Sequence, residues 1–95
     1  MPLIIRREAE AGIASAYDWY EEQRRGLGTE FLEDVSFTIA AIESNPRQFR
    51  RVNWIMRRAL LRRFPYGVYF LDLDEIGLVA TVRHLSRDPL YSDTG

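Results

Sequence analysis

Seven arginines lie between residues 46 and 71, and this stretch contains no acidic side chain. Arginine stays charged in any folded environment, and its planar guanidinium can grip a phosphate or a carboxylate with two hydrogen bonds. The aromatic residues interleaved with these arginines are suited either to stacking on bases or to packing in a core. The segment therefore indicates anion binding. Its arginines are Arg47, Arg50, Arg51, Arg57, Arg58, Arg62 and Arg63, and its aromatic residues are Phe49, Trp54, Phe64, Tyr66, Tyr69 and Phe70.

The charge of the chain is divided unevenly between its two halves. Residues 1–45 carry a net charge of −5 and residues 46–95 a net charge of +4. A block of positive charge needs either an anionic partner or acidic groups within the same molecule. Both interpretations stay open, because the acidic first half could neutralise the basic segment. All thirteen basic residues are arginine, which compositional bias could also produce, but bias does not explain their clustering.

His84 is the only histidine of the chain, and histidine is the side-chain type best suited to general acid or base catalysis at neutral pH. Cleavage of RNA through its 2′-hydroxyl needs a base, an acid and a positive clamp on the phosphate. In such a site His84 would be the acid or base, and Tyr91 would position the substrate. The clamp would come from Arg62, Arg63 or Arg83. The structural alternative is a His84 that hydrogen-bonds carbonyl groups of the C-terminal segment.

The residues around His84 constrain this hypothesis. Arg83 and His84 are neighbours on a predicted strand, where successive side chains point to opposite faces. We therefore expect that the two cannot line one site unless a bulge intervenes. Arg87 and Asp88 are interpreted as a pair that fixes the turn before Pro89.

Length and composition indicate one globular domain that spans residues 1–95. The hydrophobic fraction of 46% and the aromatic fraction of 13% argue against disorder. The absence of cysteine fits a cytoplasmic protein, and the sequence has neither a membrane-length apolar run nor a signal-peptide core. With a single histidine, no cysteine and no glycine-rich phosphate loop, we expect no metal site and no cofactor.

The first half of the chain predicts one strand and two helices. The strand is expected at residues 3–7, and apolar residues at helical spacing predict helices at about 8–25 and 29–44. Gly26 is expected in a left-handed conformation between the helices, and Thr29 as the N-cap of the second. Such a short connection makes the two helices an antiparallel hairpin.

The second half predicts four strands, at residues 50–55, 57–64, 67–73 and 76–85. A turn at Asp74 joins the last two, and the last strand is expected to be central because it is apolar on both faces. The result is an α+β domain of order β-α-α-β-β-β-β, with the helical hairpin packed on one face of an antiparallel-rich sheet. The other face is expected to be open and lined by arginines and aromatic residues.

Four segments occur together and in order: WYEEQRRGLGTEFL at 19–32, IESNPRQF at 42–49, RRALLRRFPYGVYF at 57–70 and VRHLSRDP at 82–89. Together they resemble the RelE/ParE superfamily of toxins from type II toxin–antitoxin systems, and the ParE-like branch of plasmid stabilisation proteins most of all. The resemblance covers about residues 5–90. It implies the β-α-α-β-β-β-β fold, a tight complex with an antitoxin and one of two targets. RelE-like members cut mRNA in the ribosome, whereas ParE-like members inhibit DNA gyrase.

The prediction from the sequence is thus a ParE-like toxin that acts on DNA gyrase in the cytoplasm, does not involve a membrane and forms a hetero-oligomer with its antitoxin. One alternative is a RelE-like, ribosome-dependent mRNA endoribonuclease, although such nucleases are usually strongly basic and this chain has a pI of about 5.8. The other is a degraded toxin retained as an antitoxin-binding module, which the lack of a basic residue after Pro89 favours. The residues expected to bind the antitoxin or the target are Arg57, Arg58, Arg62, Tyr66 and Arg87.

Overall fold

The computed structural model describes residues 1–87. Two helices follow the first strand, and four strands follow the helices, so the predicted α+β class and the order β-α-α-β-β-β-β are confirmed. Two short 3-10 turns, Pro46–Gln48 and Leu85–Arg87, flank the four-strand part. The elements are β1 (Leu3–Ile5), α1 (Arg7–Gln23), α2 (Leu27–Ser44), β2 (Arg50–Arg51), β3 (Met56–Leu60), β4 (Tyr66–Asp72) and β5 (Gly77–His84).

The five strands form one sheet in the order β1-β5-β4-β3-β2. β1 pairs with β5 in parallel, and every other neighbouring pair is antiparallel. β5 lies between β1 and β4, which confirms its predicted central position. The register between β4 and β5 shifts after Tyr69, so that Ala80 forms a bulge.

The helices bury one stripe each against one face of the sheet. The core contains Ala9, Ala16 and Tyr20 from α1, Phe31, Val35 and Ile42 from α2, and Ala59, Val68, Phe70, Val79 and Val82 from the sheet. Gly12 explains how closely α1 approaches β5, because a Cβ atom at this position would lie 2.8 Å from the carbonyl oxygen of Val82. Within residues 1–87 no helix is long and apolar enough to cross a membrane.

The connection between the helices differs in one detail from the prediction. Gly26 is left-handed as predicted, with φ of 88°, but it is itself the N-cap of α2, and the helix begins at Leu27. The prediction that Thr29 caps α2 is therefore wrong. An acceptor from the other helix replaces it, since the Glu21 carboxylate accepts a 2.9 Å hydrogen bond from the main-chain nitrogen of Gly28.

β2 and β3 end earlier than predicted because side chains bind the main chain that follows them. β2 ends at Arg51, and the side-chain oxygen of Asn53 then accepts hydrogen bonds of 2.9 Å from the main-chain nitrogens of Ile55 and Met56. β3 ends at Leu60 rather than at residue 64, because the Asp34 carboxylate binds the main chain of the loop that follows it. The predicted turn at Asp74 is confirmed, with φ of 70°.

The sheet face opposite the helices carries arginines and aliphatic residues. The register places Arg50, Arg58 and Arg83 on it. Its one aromatic residue among those described is Tyr69, which is fully buried. The Tyr69 ring and the Arg58 stem both lie against Gly67, which has no side chain. The expectation of several aromatic residues here is wrong, because strand alternation turns the other aromatic residues of β4 toward the helices.

Candidate functional site

A groove of 620 Å³ lies between α1 and the adjoining ends of β4 and β5. Its volume is within the range of about 300–1,000 Å³ that ligand pockets occupy. The helix and the sheet contribute one wall each. The helix wall is formed by Gly12, Ser15, Ala16, Trp19 and Tyr20, and the sheet wall by Pro65, Tyr66, Val82, Arg83, His84 and Arg87.

Trp19 is the large apolar side chain that the helix wall presents. It is 55% exposed, and its ring stands edge-on to Tyr20 at 5.1 Å between centroids. Trp19 lies off the buried stripe of α1, which runs through Ala9, Ala16 and Tyr20. An exposed indole beside a groove is typical of a surface that binds a partner.

His84 lies on the sheet wall, with its ring 5.2 Å from that of Tyr66. Its Nδ1 atom accepts a 3.2 Å hydrogen bond from the main-chain nitrogen of Ser86 and lies 2.8 Å from the Ser86 hydroxyl oxygen. A nitrogen that accepts from a main-chain N–H carries no proton, so Nε2 carries the proton of the neutral ring. His84 is thus oriented by the turn that follows β5, and only Nε2 remains for a substrate.

Two tyrosines stand at the inner side of the groove, Tyr20 and Tyr66. Burial raises the pKa of Tyr20, and the neighbouring Tyr66 raises it further. Burial also raises the pKa of Tyr66, although the charge of Arg87 opposes this shift. Both hydroxyl groups therefore stay protonated at neutral pH, where they can donate hydrogen bonds but cannot act as bases.

Arg83 and His84 both line the groove, so the expectation that they cannot share a site is wrong. The register does put them on opposite faces, with Arg83 opposite Gly67 and His84 opposite Tyr66. Both nevertheless line the groove, because it lies at the end of β5, where the strand stops at His84. Arg87 adds a second guanidinium, and none of the described lining residues is Asp or Glu.

Arg62 and Arg63 do not line this groove. They lie in the loop between β3 and β4, next to α2. The Arg62 guanidinium lies 4.5 Å from the centroid of the Phe37 ring. Arg63 forms an ion pair with Glu30 at 2.5 Å, and Arg24 pairs with the same carboxylate at 2.9 Å. The structure therefore does not bring these two arginines together with His84.

Glu30 is held in its charged form by these two arginines. The hydrogen bond from Arg24 lowers the pKa of Glu30 most, the charge of Arg24 and the hydrogen bond and charge of Arg63 lower it further, and partial desolvation opposes them. Arg63 of the basic second half thus pairs with Glu30 of the acidic first half. Part of the positive charge is therefore neutralised within the molecule, which is one of the two interpretations that the sequence left open.

Arg57 and Arg58 point to opposite sides of β3. Arg57 donates a 2.8 Å hydrogen bond to the carbonyl oxygen of Phe49, on the side of the sheet that the helices cover. Arg58 packs its stem over Gly67 on the other face. The residues expected to bind a partner thus fall on several surfaces, and only Tyr66 and Arg87 belong to the groove. Tyr91, and Asp88 as the expected partner of Arg87, lie outside the described residues.

The comparisons with known proteins identify the fold. No protein-family model matches the sequence, and no curated protein matches it at a significant level. Among solved structures, the chain is similar to a chain of the chromosomal ParDE TA system from P. aeruginosa, with a TM-score of 0.78 and 18% identity. The match covers 88% of this chain and 95% of the other. The chain has the RelE/ParE fold.

The motifs on which the sequence resemblance rests fall on connections of the RelE/ParE fold. The glycines 26 and 28 join the helices, where Gly26 is left-handed and Gly28 receives the bond from Glu21. The segment from Arg62 to Pro65 lies in the loop that Asp34 of α2 holds, and Tyr66 begins β4. The segment from His84 to Arg87 forms the turn that borders the groove. Each of these three motifs therefore has a conformational role in this structure.

Proposed function

We propose that this chain is the toxin of a type II toxin–antitoxin module, ParE-like, which acts on DNA gyrase in the cytoplasm and is neutralised by a cognate antitoxin. The observation that carries the proposal is the likeness to a chain of a ParDE system over nearly the full length of both chains. The four sequence segments that resemble the superfamily support it independently.

The groove beside α1 is the surface that best suits an antitoxin helix. Trp19 and Tyr66 offer apolar contact, and Arg87 offers a charged partner. An amphipathic helix binds such a surface by laying its apolar side against the aromatic residues. Acidic residues on the same helix would pair with the arginines, which adds register and association rate more than affinity.

Gyrase is preferred over mRNA as the target because the groove is poorly equipped for acid–base catalysis. Cleavage of RNA requires two groups that exchange protons. The described groove residues supply no carboxylate, the two tyrosines stay protonated, and Nδ1 of His84 is already engaged by Ser86. Inhibition of a protein target requires only complementary binding, with no proton transfer.

One observation favours the second candidate, a RelE-like ribosome-dependent endoribonuclease. His84 and two arginines, Arg83 and Arg87, line the same groove. A histidine beside guanidinium groups is the combination that could protonate a leaving oxygen while a phosphate is held. The experiments must therefore separate the two targets.

The first experiment is expression of the chain alone and together with the protein encoded directly beside it. Growth arrest that the neighbour reverses is the expected result. No arrest would instead favour a degraded toxin retained as an antitoxin-binding module. Induction of the SOS response would indicate gyrase poisoning, whereas cuts at defined positions of a ribosome-bound message would indicate the nuclease.

The second experiment locates the antitoxin. Trp19→Ala should weaken the complex by about tenfold or more in calorimetry, as loss of a central aromatic contact does. Leu32→Ala is the matched control, since Leu32 is an apolar residue that is 37% exposed on the other helix. Arg58→Glu and Arg62→Glu are tested singly because they lie on separate surfaces. A complex that tolerates Trp19→Ala but not Arg58→Glu would place the antitoxin on the helix-free sheet face.

A further inference from the structure

The two-residue ladder between β2 and β3 pairs arginine with arginine. Arg50 lies opposite Arg58, and Arg51 lies opposite Arg57. Like charges directly opposite each other on neighbouring strands destabilise a sheet. Within residues 1–87 no carboxylate pairs with Arg51 or Arg57 to offset the repulsion between them. Their guanidinium groups instead donate hydrogen bonds to the carbonyl oxygens of Trp54 and Phe49, at 2.7 and 2.8 Å. Each guanidinium keeps further N–H donors for an anion.

Trp54 stands at the tip of the same β2–β3 hairpin and is 83% exposed. The tip is nevertheless well ordered by hydrogen bonds. The Asn53 side chain binds the two main-chain nitrogens that follow Trp54, the Val52 nitrogen donates to the Met56 carbonyl oxygen at 2.9 Å, and Arg51 holds the carbonyl of Trp54. An indole presented on an ordered turn loses little conformational entropy when a partner binds it.

A second cavity, of 290 Å³, lies beside this tip, and we name it the hairpin-tip cavity. Trp54, Ile55, Leu71 and Leu73 supply its apolar lining, while Arg51 and Arg57 supply positive charge. Ile55 and Leu73 are about half exposed. The acidic lining residue, Asp72, is already occupied, since it pairs with Arg47 at 3.9 Å and accepts from the main-chain nitrogen of Asp74.

We propose that the hairpin-tip cavity docks a segment of a partner protein that presents a large apolar side chain beside an Asp or Glu. The apolar side chain would enter between Trp54 and the aliphatic residues. The neighbouring carboxylate would bridge Arg51 and Arg57 and so relieve their repulsion. Charge complementarity identifies an acidic partner, and the aliphatic lining favours a protein over a nucleic acid, whose sugars and phosphates would not cover Ile55, Leu71 and Leu73.

The hairpin-tip cavity is separate from the groove beside α1. Tyr66 lines the groove and Leu71 lines the cavity. They lie five positions apart on β4, which is about 17 Å at about 3.3 Å per residue. One partner can therefore occupy the groove while another occupies the cavity, and the inference does not depend on the proposed function.

The test is selection of a random peptide library displayed on phage, with the full chain as the bait. Phage that bind the Trp54→Ala variant are first removed, so that the survivors depend on Trp54. We expect the survivors to carry an aromatic or large aliphatic residue next to Asp or Glu. Synthetic survivors should bind the Arg51→Gln/Arg57→Gln double variant about tenfold more weakly than the unaltered chain, which corresponds to about 1.4 kcal/mol, and should bind Trp19→Ala unchanged.

The inference is overturned if no phage survive the depletion, if the survivors show no preference for acidic residues, or if Trp19→Ala abolishes their binding. If the double variant fails to fold, the sequence preference of the survivors still decides, because Trp54 is exposed and its replacement disturbs no core contact.

A separate experiment tests binding of nucleic acid and uses the Trp19→Phe variant, in which Trp54 is the only tryptophan. Saturable quenching of its fluorescence by oligothymidylate would assign the cavity to nucleic acid instead, whereas no quenching is expected.

Discussion

The carboxylate of Asp34 in α2 accepts a 2.8 Å hydrogen bond from the main-chain nitrogen of Arg63. Its other oxygen accepts from the nitrogen of Arg62 at 3.3 Å, and the residue is only 5% exposed. These two nitrogens follow the end of β3 and receive no partner from the sheet. A buried acceptor on a helix therefore holds the loop that leads into Tyr66, and so positions one wall of the groove.

We predict that Asp34→Ala lowers the free energy of unfolding by about 2–4 kcal/mol, because it removes two part-buried hydrogen bonds to a carboxylate, and one hydrogen bond to a charged group contributes about 1.5–3 kcal/mol. Urea denaturation measures the change. Asp18→Ala is the control, since Asp18 is exposed on α1 and its loss should stay within about 0.5 kcal/mol. Equal losses for the two variants would contradict a structural role for the Asp34 contact.

Gly12→Ala tests the close packing of α1 on β5, because helix propensity and overpacking would change the stability of the protein in opposite directions. Helix propensity alone predicts that alanine stabilises the protein by up to about 1 kcal/mol. The added Cβ atom would lie 2.8 Å from the Val82 carbonyl oxygen, and overpacking of this kind costs about 1–3 kcal/mol. We expect net destabilisation, whereas Ser15→Ala on the same helix should be neutral or slightly stabilising. A Gly12→Ala variant with a raised Tm would show that the helix can move aside freely.

The elements that the sequence predicted best are those that local chemistry determines. Apolar spacing identified both helices, and Gly26 and Asp74 marked turns because left-handed backbone is needed there. The end of β3 was missed because it depends on Asp34, which is 28 positions away along the chain from Arg62. The role of Glu21 at the start of α2 was missed for the same reason: a contact between two elements leaves no local pattern.

The candidate site was predicted less well than the fold. His84, Arg83 and Tyr66 were identified by their type, but their convergence depends on where β5 ends. Arg62, which is expected to bind a partner, lies outside the groove with its guanidinium over the Phe37 ring, a contact that no spacing in the sequence indicates. The exposure of Trp19 could have been predicted from the sequence, because Trp19 lies off the apolar stripe of α1 and a residue in such a position is expected to face the solvent.

The pH dependence of stability should reveal the Arg24–Glu30–Arg63 cluster. The pKa of Glu30 is lowered from its usual 4.5 in the folded state. Its contribution is therefore present above about pH 4.5 and is lost as the pH falls through the folded-state value. We expect the Tm difference between the unaltered chain and Glu30→Gln to be larger at neutral pH than at strongly acidic pH. Glu33→Gln replaces an exposed carboxylate on the same helix, and we expect its Tm difference from the unaltered chain not to shrink at acidic pH. A difference that is constant with pH would contradict the assignment.

We predict that the isolated protein is not an efficient nuclease, because the described groove residues include no carboxylate that could act with His84 as an acid–base pair. Ribosomes programmed with a defined message and analysed by primer extension provide the assay. His84→Ala should leave any growth arrest in place. Cuts at defined positions that disappear in His84→Ala would promote the endoribonuclease above the gyrase inhibitor.

Free nucleic acid should bind the arginine-rich segment only weakly. Some of its arginines are engaged within the protein, with Arg63 on Glu30, Arg47 on Asp72 and Arg62 on Phe37, and the acidic helices oppose approach at long range. We expect dissociation constants in the non-specific range, roughly 10⁻⁴ to 10⁻⁶ M at physiological salt. Filter binding at two salt concentrations measures both affinity and slope. In a plot of the logarithm of the association constant against the logarithm of the salt concentration, each phosphate contact would contribute a slope of about −0.7 for single strands or about −0.9 for duplexes. Nanomolar binding with a steep slope would show that these arginines bind phosphates directly, and would contradict a protein as the principal target.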